Sequence, residues 1–442
     1  MTSKIVVNNI EPDAGISTVS ILGIATATKF IGDIEGGVTG NVTGNVTGSS
    51  GSCTGNAATA TVASGITTTA SVNTSGIVTA TAFIPTTGQL SNRNLIINGA
   101  MQVAQRGTSS TEPSNTYTLD RFKYFRNIDT GEVTVSQESV TDLTGFTKAA
   151  KINCTTAETG VPAKAGSKYA GFTTNLEAQD LQQLAYGTSG AKQITLSFYV
   201  KSNITGTFCV SIYKGDQTAR VVSLGYTINS ANTWERKTLT FPADTGGGGI
   251  DNNNGSGLQF FWILARQQGY QGTASTTWAN NADSRFANLC TATIFENTND
   301  HIFITGVQLE VGPVATPFEH RSFGDELRRC QRYFTFIPSG TVFPGRGNSG
   351  SSYIYSYQAP VSMRASPTIG VSNDLAHGTF SVRRYRDATG VSDSTSTPTT
   401  SSTYFQGNTN MIHLIQGGFT GADDRSATLF VGGGAITIDA EI

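Results

Sequence analysis

The sequence predicts a mainly β fold, and three observations point to it. Charged residues make up only 14% of the 442 positions, whereas glycine alone occupies 50 of them. Glycine, threonine, serine and asparagine fill the other polar positions, and these residues are typical of strands and turns. In ITLSFYVKS (Ile194–Ser202), apolar and polar residues alternate with the two-residue period of a strand, and no sustained helical period competes with it.

The N-terminal part of the chain is unusually poor in charge. Residues 36–92 contain no charged side chain, and Val-Thr-Gly-Asn returns every four residues within residues 36–50. A longer unit, GIATATKFI (Gly23–Ile31), returns as GIVTATAFI (Gly76–Ile84). One chain cannot bury so few apolar atoms in a core, but three identical chains around one axis can bring their valines together. We therefore expect a thin, intertwined homotrimeric shaft over residues 36–92; a disordered linker is the alternative.

The composition changes at Arg93, where charged and aromatic residues return. In TFCVSIYKG (Thr207–Gly215), Phe, Val and Ile alternate with smaller or polar residues, as in a sheet with one wet face. LQFFWILA (Leu258–Ala265) is apolar on both faces, which predicts a central strand between covering layers and places Trp262 in the core. Strands of this kind between Gly/Asn/Ser loops predict a β-sandwich over residues 93–323.

A short helix and a second β-rich part are expected after the sandwich. The helix is predicted over Gly324–Phe334, with Asp325 as its cap. Residues 335–442 return to strand patterns, so residues 324–442 are predicted as a helix followed by a β-rich tip domain. Within it, Gly432–Gly434 resembles a hairpin turn that joins the last two strands.

Charge and cysteine content narrow the class of function. The formal net charge of −2 gives no reason to expect nucleic acid or an acidic membrane as a partner, and no run approaches membrane-spanning length. The five cysteines are widely spaced, which favours reduced thiols over a disulfide framework. The four histidines lack the spacing of metal ligands, and nucleotide-loop and hydrolase motifs are missing, so we expect no metal, no cofactor and no enzyme activity.

Several stretches resemble the sandwich module of phage tail fibre proteins. The opening SKIVVNNIEP and the shaft repeats are similar to fibres of phages that infect marine cyanobacteria. The sandwich segments that carry the resemblance are NLIINGAMQVAQRG (Asn94–Gly107), YTLDRF (Tyr117–Phe122), ITLSFYVKS, TWERKTLTFPADT (Thr233–Thr245), the long segment Ile304–Phe334 and, beyond it, VSMRASPT (Val361–Thr368).

The resemblance implies a virion protein made in the cytoplasm of the bacterial host. It implies a homotrimer whose residues 1–35 attach to a phage tail or baseplate protein and whose C-terminal modules contact the host surface. It also implies that the sandwich is a jelly roll similar to carbohydrate-binding modules. The implied function is adsorption to host surface polysaccharide; a purely structural fibre or connector is the alternative, followed by a polysaccharide-cleaving tailspike.

One loop, Arg266–Arg285, has the side chains that bind sugars. Sugar recognition uses flat aromatic faces for C–H surfaces and amides for hydroxyls. Trp278 has an alternative interpretation, as a hydrophobic plug at the sandwich edge. The candidate ligand-binding residues are Gln267, Tyr270, Trp278, Asn280 and Asn281, and Asp283 lies in the same loop.

Overall fold

A computed structural model describes most of the chain beyond residue 90. It covers residues 91–270, 275–282, 285–349, 352–371, 381–386, 390–395, 404–405, 411–417, 426–430 and 435–442. These residues all belong to one compact unit. The predicted virion-attachment segment and all but the last two residues of the predicted shaft lie outside the described residues.

The first thirteen strands of the described chain build a β-sandwich. In chain order they are β1 (Ser109–Thr111), β2 (Thr116–Leu119), β3 (Phe122–Arg126), β4 (Glu132–Ser139), β5 (Lys148–Thr156), β6 (Tyr169–Glu177), β7 (Ile194–Ser202), β8 (Gly206–Lys214), β9 (Arg220–Ile228), β10 (Glu235–Phe241), β11 (Ser256–Arg266), β12 (Ala279–Asn280) and β13 (His301–Val311). Short 3-10 helices interrupt the connections at Val161–Ala163, Ala178–Leu184 and Gln268–Tyr270.

Two antiparallel sheets face each other. Sheet A has the order β1-β4-β5-β13-β7-β10, and sheet B has the order β12-β9-β8-β11-β6-β3-β2. The chain crosses repeatedly between them, so neither sheet can be completed from one half of the sequence. The prediction of a mainly β protein with a β-sandwich is confirmed; the domain boundary at residues 323 and 324 stays a prediction.

The core between the sheets is apolar and rich in aromatic rings. Trp262 of β11 is fully buried, as predicted, and its ring packs edge-on against Phe198 of β7 at a centroid distance of 5.7 Å. Phe122 of β3 stacks on Phe172 of β6 at 5.1 Å. Strand side chains alternate between the two faces of a sheet. The residues directly before and after Trp262, Phe122 and Phe172 in their strands therefore point away from the core.

The two most clearly predicted strands are found where expected. Strand β7 occupies Ile194–Ser202, and β11 is central in sheet B, between β8 and β6. Residues 260–266 of β11 are all buried, on both faces, because a later segment covers the outer face of the sheet. The apolar pattern on both faces of β11 therefore correctly predicted a covering layer.

The predicted helix exists, but its cap was assigned wrongly. Helix α1 spans Phe323–Gln331, and its N-cap is Ser322, whose hydroxyl oxygen accepts the backbone N–H of Asp325 at 3.2 Å. The extended backbone of Ser322 lets its side chain satisfy that free amide, while Asp325 sits inside the first turn. Cys330 is buried against the fold, whereas Phe334 begins the next strand.

Ten further strands follow the helix among the described residues, in two more sheets. In chain order they are β14 (Phe334–Ile337), β15 (Val342–Ser349), β16 (Ser352–Gln358), β17 (Thr368–Val371), β18 (Ser381–Arg386), β19 (Gly390–Thr395), β20 (Tyr404–Phe405), β21 (Met411–Gly417), β22 (Ser426–Phe430) and β23 (Ile436–Asp439). Among the described residues, sheet C has the order β14-β23-β17 and sheet D the order β19-β18-β22-β15-β16-β21-β20.

The expected C-terminal hairpin is not formed. Strand β22 pairs with β15 and β18 in sheet D, whereas β23 pairs with β14 and β17 in sheet C. Gly432–Gly434 lies outside the described residues, but the strands on either side of it belong to different sheets. The apolar alternation of β23 is satisfied by burial of Ile436 and Ile438 in sheet C.

The end of β23 and the residues after it are fixed to the sandwich by ion pairs. Arg121 is 1% exposed; it forms an ion pair with Glu441, and its guanidinium carbon lies 3.4 Å from the ring centroid of Tyr333. Arg106, from the Gln-Arg-Gly motif, pairs with Asp439 at 2.8 Å and with Glu441 at 3.3 Å. The C-terminal residues are thereby joined to the beginning of the sandwich, at the opposite end of the described sequence.

Helices in the part of the chain that the structure describes are all too short or too polar to cross a membrane.

Glu441→Gln is expected to lower the free energy of unfolding by about 3–5 kcal/mol, because it leaves the buried Arg121 guanidinium without its counter-charge. Urea unfolding of the full chain measures the change. The matched control is Glu112→Gln at an exposed position, which should stay within about 0.5 kcal/mol of the parent. Equal losses for the two variants would show that the ion pair does not fix the C-terminal strand.

Candidate functional site

The outer face of sheet B carries the candidate site, and its position follows from strand alternation. On β11, Phe260 and Trp262 point into the core, so Gln259 and Phe261 face outward. Gln259 lies opposite Tyr213 on β8 and opposite Asn175 on β6. An amide and a phenol therefore stand side by side at the middle of this face.

An aromatic cluster forms the wall of this face. Its centre is Tyr169 at the start of β6, which stacks on Phe125 of β3 at a centroid distance of 4.6 Å. Phe286, Tyr270 and Phe261 approach the same ring at 4.9, 5.2 and 6.2 Å. Because Tyr270 and Phe286 belong to the segment after β11, these contacts hold that segment on the sheet.

Beside the cluster lies an open depression of about 200 Å³. Aromatic rings and amides provide its surface, and none of the described residues that line it carries a charge. The lining residues are Tyr169, Tyr213, Gln259, Phe261, Tyr270, Asn281 and Phe286. Flat apolar rings next to amide donors and acceptors are the groups that hold a sugar ring and its hydroxyls.

The C-terminal residues bound the face on the opposite side. Asn175, the neighbour of Gln259, donates its side-chain N–H to the backbone oxygen of Ile442 at 2.8 Å. Tyr117 of β2 donates its hydroxyl to the same oxygen at 2.5 Å. Burial, followed by the charge of Glu441, raises the pKa of Tyr117, so the phenol stays protonated and can donate this bond.

Two of the five predicted site residues line the depression. Tyr270 is 7% exposed and contributes part of the aromatic wall, and Asn281 is exposed at the rim, where its backbone N–H donates to Ala219 O at 2.9 Å. Asn280 is also exposed, but its side-chain oxygen accepts from Arg220 Nη1 at 3.3 Å. Asp283 lies outside the described residues.

Gln267 is placed in a structural contact rather than on an open surface. It is 1% exposed, and its Nε2 donates to Asp129 Oδ2 at 2.9 Å. Asp129 also accepts from Lys164 and Lys168. Hydrogen bonds from Lys164 and then Lys168 hold the pKa of Asp129 well below its usual range, so the carboxylate is a stable anchor for the amide.

Trp278 is buried at the edge of the sandwich rather than exposed as a stacking surface. It is 8% exposed, its Nε1 donates to Pro242 O at 2.8 Å, and its ring packs edge-on against Tyr186 at 5.6 Å. These surroundings match the alternative interpretation, a hydrophobic plug at the sandwich edge. An indole among small polar residues buries its large apolar surface wherever the fold offers a gap.

A buried ion cluster holds the loop that contains Trp278. Asp244 is fully buried and pairs with Lys214 Nζ at 2.9 Å and with Arg220 Nε at 3.0 Å. Arg220 then donates an Nη2–H to Trp278 O at 2.9 Å. Lys214 also donates to Gly248 O at 2.6 Å. Through Lys214 and Arg220, the Asp244 carboxylate therefore connects β8, β9 and the Trp278 loop at this end of sheet B.

Sequence reasoning missed the strand residues of the depression. Tyr213 occupies the polar phase of the β8 alternation, and Gln259 is the one polar residue inside LQFFWILA. Both features marked an outward position. They did not reveal that the two residues are cross-strand neighbours, because strand order is not encoded in local patterns.

Trp278→Ala is expected to destabilise the protein by about 3–5 kcal/mol, because it leaves a cavity where a buried ring was. Urea unfolding followed by circular dichroism measures this loss. Trp278→Phe should retain most of the stability, and Thr276→Ala, at an exposed position of the same loop, is the control. Unchanged stability of Trp278→Ala together with lost glycan binding would restore Trp278 as a ligand-stacking residue.

Comparison with known proteins gives structural neighbours only. No protein-family model and no curated protein matches the sequence. The enzymatically active domain of tailspike protein 4 from bacteriophage CBA120 aligns over 49% of this chain, but over only 21% of its own length, with 15% identity and a TM-score of 0.27.

Carbohydrate-binding modules align along almost their whole length. The family 11 module of a cellulosomal cellulase from Clostridium thermocellum covers 48% of this chain and 98% of itself, with 12% identity and a TM-score of 0.23. The C-terminal family 22 module of Xyn10B from the same organism covers 48% and 98%, with 10% identity and a TM-score of 0.25. The structural neighbours of this chain thus include a phage tailspike domain and carbohydrate-binding modules.

Proposed function

We propose that this chain is a subunit of a bacteriophage tail fibre that binds a host-surface glycan through the depression on sheet B. The observation that carries the proposal is the composition of that depression: aromatic rings and two side-chain amides line it on one face of a β-sandwich, and Tyr169 and Tyr213 are the rings that are only partly buried. The tail fibre assignment rests on the resemblance of separate sequence segments within residues 94–334. The fibre would act in the virion, held to a tail or baseplate protein through its N-terminal segment.

The proposed mechanism is adhesion by many weak contacts. A shallow, open depression of about 200 Å³ suits a short stretch of sugar units, and single sites of this size bind weakly. When several identical sites engage one polysaccharide surface, the later contacts become intramolecular and avidity exceeds the single-site affinity by about 10²–10⁴. Tight binding at any one site is therefore not needed.

A purely structural fibre or connector is the second candidate, and one observation favours it. Gln267 and Trp278, two of the residues expected to contact sugar, are instead buried in contacts that hold loops. If the remaining aromatic residues serve the same purpose, the depression is only a gap between the loop and the C-terminal residues. A binding measurement separates the two candidates.

Tyr213→Ala and Gln259→Ala are each expected to weaken glycan binding about tenfold, equivalent to about 1.4 kcal/mol. The first removes a ring and the second an amide from the depression. Binding of the full chain to an oligosaccharide array, followed by calorimetry on the bound members, measures the effect. Exposed Gln193→Ala, next to the start of β7 in sheet A, is the matched control and should bind like the parent.

The same incubations test whether the protein is an enzyme. We propose that it is not, so bound oligosaccharides should be recovered intact with no new reducing ends. Sustained release of reducing ends, abolished by changing one carboxylate, would replace the adhesion mechanism with that of a depolymerising tailspike. Absence of binding to every oligosaccharide and to whole cell-surface polysaccharide would favour the structural connector.

The proposed fibre is a homotrimer, because residues 36–92 offer so little apolar surface per chain. Sedimentation equilibrium of the full protein should give three times the mass of the chain. The triple variant Val38→Asp, Val42→Asp, Val46→Asp should dissociate, since it brings like charges together where the copies are proposed to meet. Val42→Ile is the control and should remain trimeric; a parent protein that sediments as a monomer would end the shaft proposal.

A further inference from the structure

The described lining of the depression on sheet B is uncharged. Its described lining consists of tyrosine, phenylalanine, glutamine and asparagine side chains, which are all neutral at physiological pH, and none is acidic or basic. A ligand group with a formal charge would therefore have to find its counter-charge outside the lining.

Two of the three cations next to the lining residues in sequence are held in ion pairs. Lys168, beside Tyr169, pairs with Asp129. Lys214, beside Tyr213, is fully buried and pairs with Asp244 at 2.9 Å. Arg285, beside Phe286, is exposed, lies outside the described lining, and is held by a hydrogen bond from its Nη1 to Asn280 O at 3.2 Å.

Arg220, at the start of β9, is held in the same way. It pairs with Asp244 at 3.0 Å and donates to Trp278 O and to Asn280 Oδ1. Drawing Arg220 toward a ligand would leave Asp244, which is fully buried, with Lys214 as its remaining cation. Breaking a buried ion pair is costly, so this guanidinium is a poor source of charge for a ligand.

Lys123 is the other cation to consider on this face. It alternates with the buried residues Phe122 and Tyr124 of β3 and so points outward, and it pairs with Thr173, the β6 neighbour of Phe261. Two strand spacings place its backbone about 10 Å from that of Phe261. Lys123 is not among the residues that line the depression.

From these observations we infer that the depression selects uncharged saccharide units over acidic ones, an inference that rests on the proposed glycan binding. Amides and phenols form hydrogen bonds with neutral hydroxyl groups in place of those that the hydroxyl groups form with water. They replace the hydration of a carboxylate, sulfate or phosphate only in part, because no free counter-ion accompanies them among the described lining residues. A buried or half-buried charge without a partner loses affinity for this reason.

The test uses pairs of oligosaccharides that differ only in oxidation at C6. One pair is the β-1,4-linked tetrasaccharide of glucose and the corresponding tetrasaccharide of glucuronic acid, and other linkages and sugars are paired in the same way. The full protein is titrated with both members of each pair that the array retains. We expect the neutral member to bind about tenfold more tightly or better, and its affinity to stay constant as salt concentration is raised.

Three variants locate the origin of the preference. Gln259→Lys places an ammonium group in the depression. It should lower the ratio of the affinity for the neutral member to the affinity for the acidic member about tenfold. Asn281→Lys, at an exposed rim position, does the same without risk to folding. Lys123→Gln should leave the ratio unchanged.

The outcomes distinguish this inference from the function on which it rests. An acidic member that binds as tightly as its neutral partner, or a ratio that changes in Lys123→Gln but not in the two lysine variants, overturns the selectivity while glycan binding stands. Binding of no member of any pair at millimolar concentration overturns glycan binding itself, and the selectivity with it.

Discussion

The candidate site depends on the packing of one irregular segment on the outer face of sheet B. A sheet face made of Tyr169, Phe261 and their neighbours would leave a large apolar surface in water. The segment that follows β11 covers most of it, with Tyr270 and Phe286 as its anchors. The C-terminal residues contact the same face at Asn175, and the depression lies between the aromatic cluster, Gln259 and Tyr213.

Buried charges keep both covering segments in place, and this is the best account of why a chain with so few charges buries several of them. Asp244 ties the Trp278 loop to β8 and β9, and Arg121 ties the C-terminal residues to β3. Such pairs contribute less to stability than apolar packing does, since desolvation offsets much of their attraction. Their directional contacts instead hold each segment in one position, as the proposed binding surface would require.

Local patterns were sufficient for the strands but not for their partners. Residues 194–202 and the double-sided strand around Trp262 were predictable because alternation and burial act over a few positions. The expected hairpin at the C-terminus was wrong because β22 and β23 each find better partners far away in sequence. Likewise Gln259 and Tyr213 were visible as outward residues, but their adjacency depends on strand order, and the burial of Trp278 depends on Tyr186, which is distant in sequence.

The neutrality of the depression follows from the same scarcity of charge. In a chain with 29 basic and 31 acidic residues spread over 442 positions, the cations near the site are used to hold loops. The proposed binding surface beside them is left with rings and amides, which are suited to recognising shape and hydroxyl pattern rather than charge. Such a surface would gain little from long-range attraction, so the proposed association with a polysaccharide would depend on repeated short-range contacts, which a fibre with several copies of the site would supply.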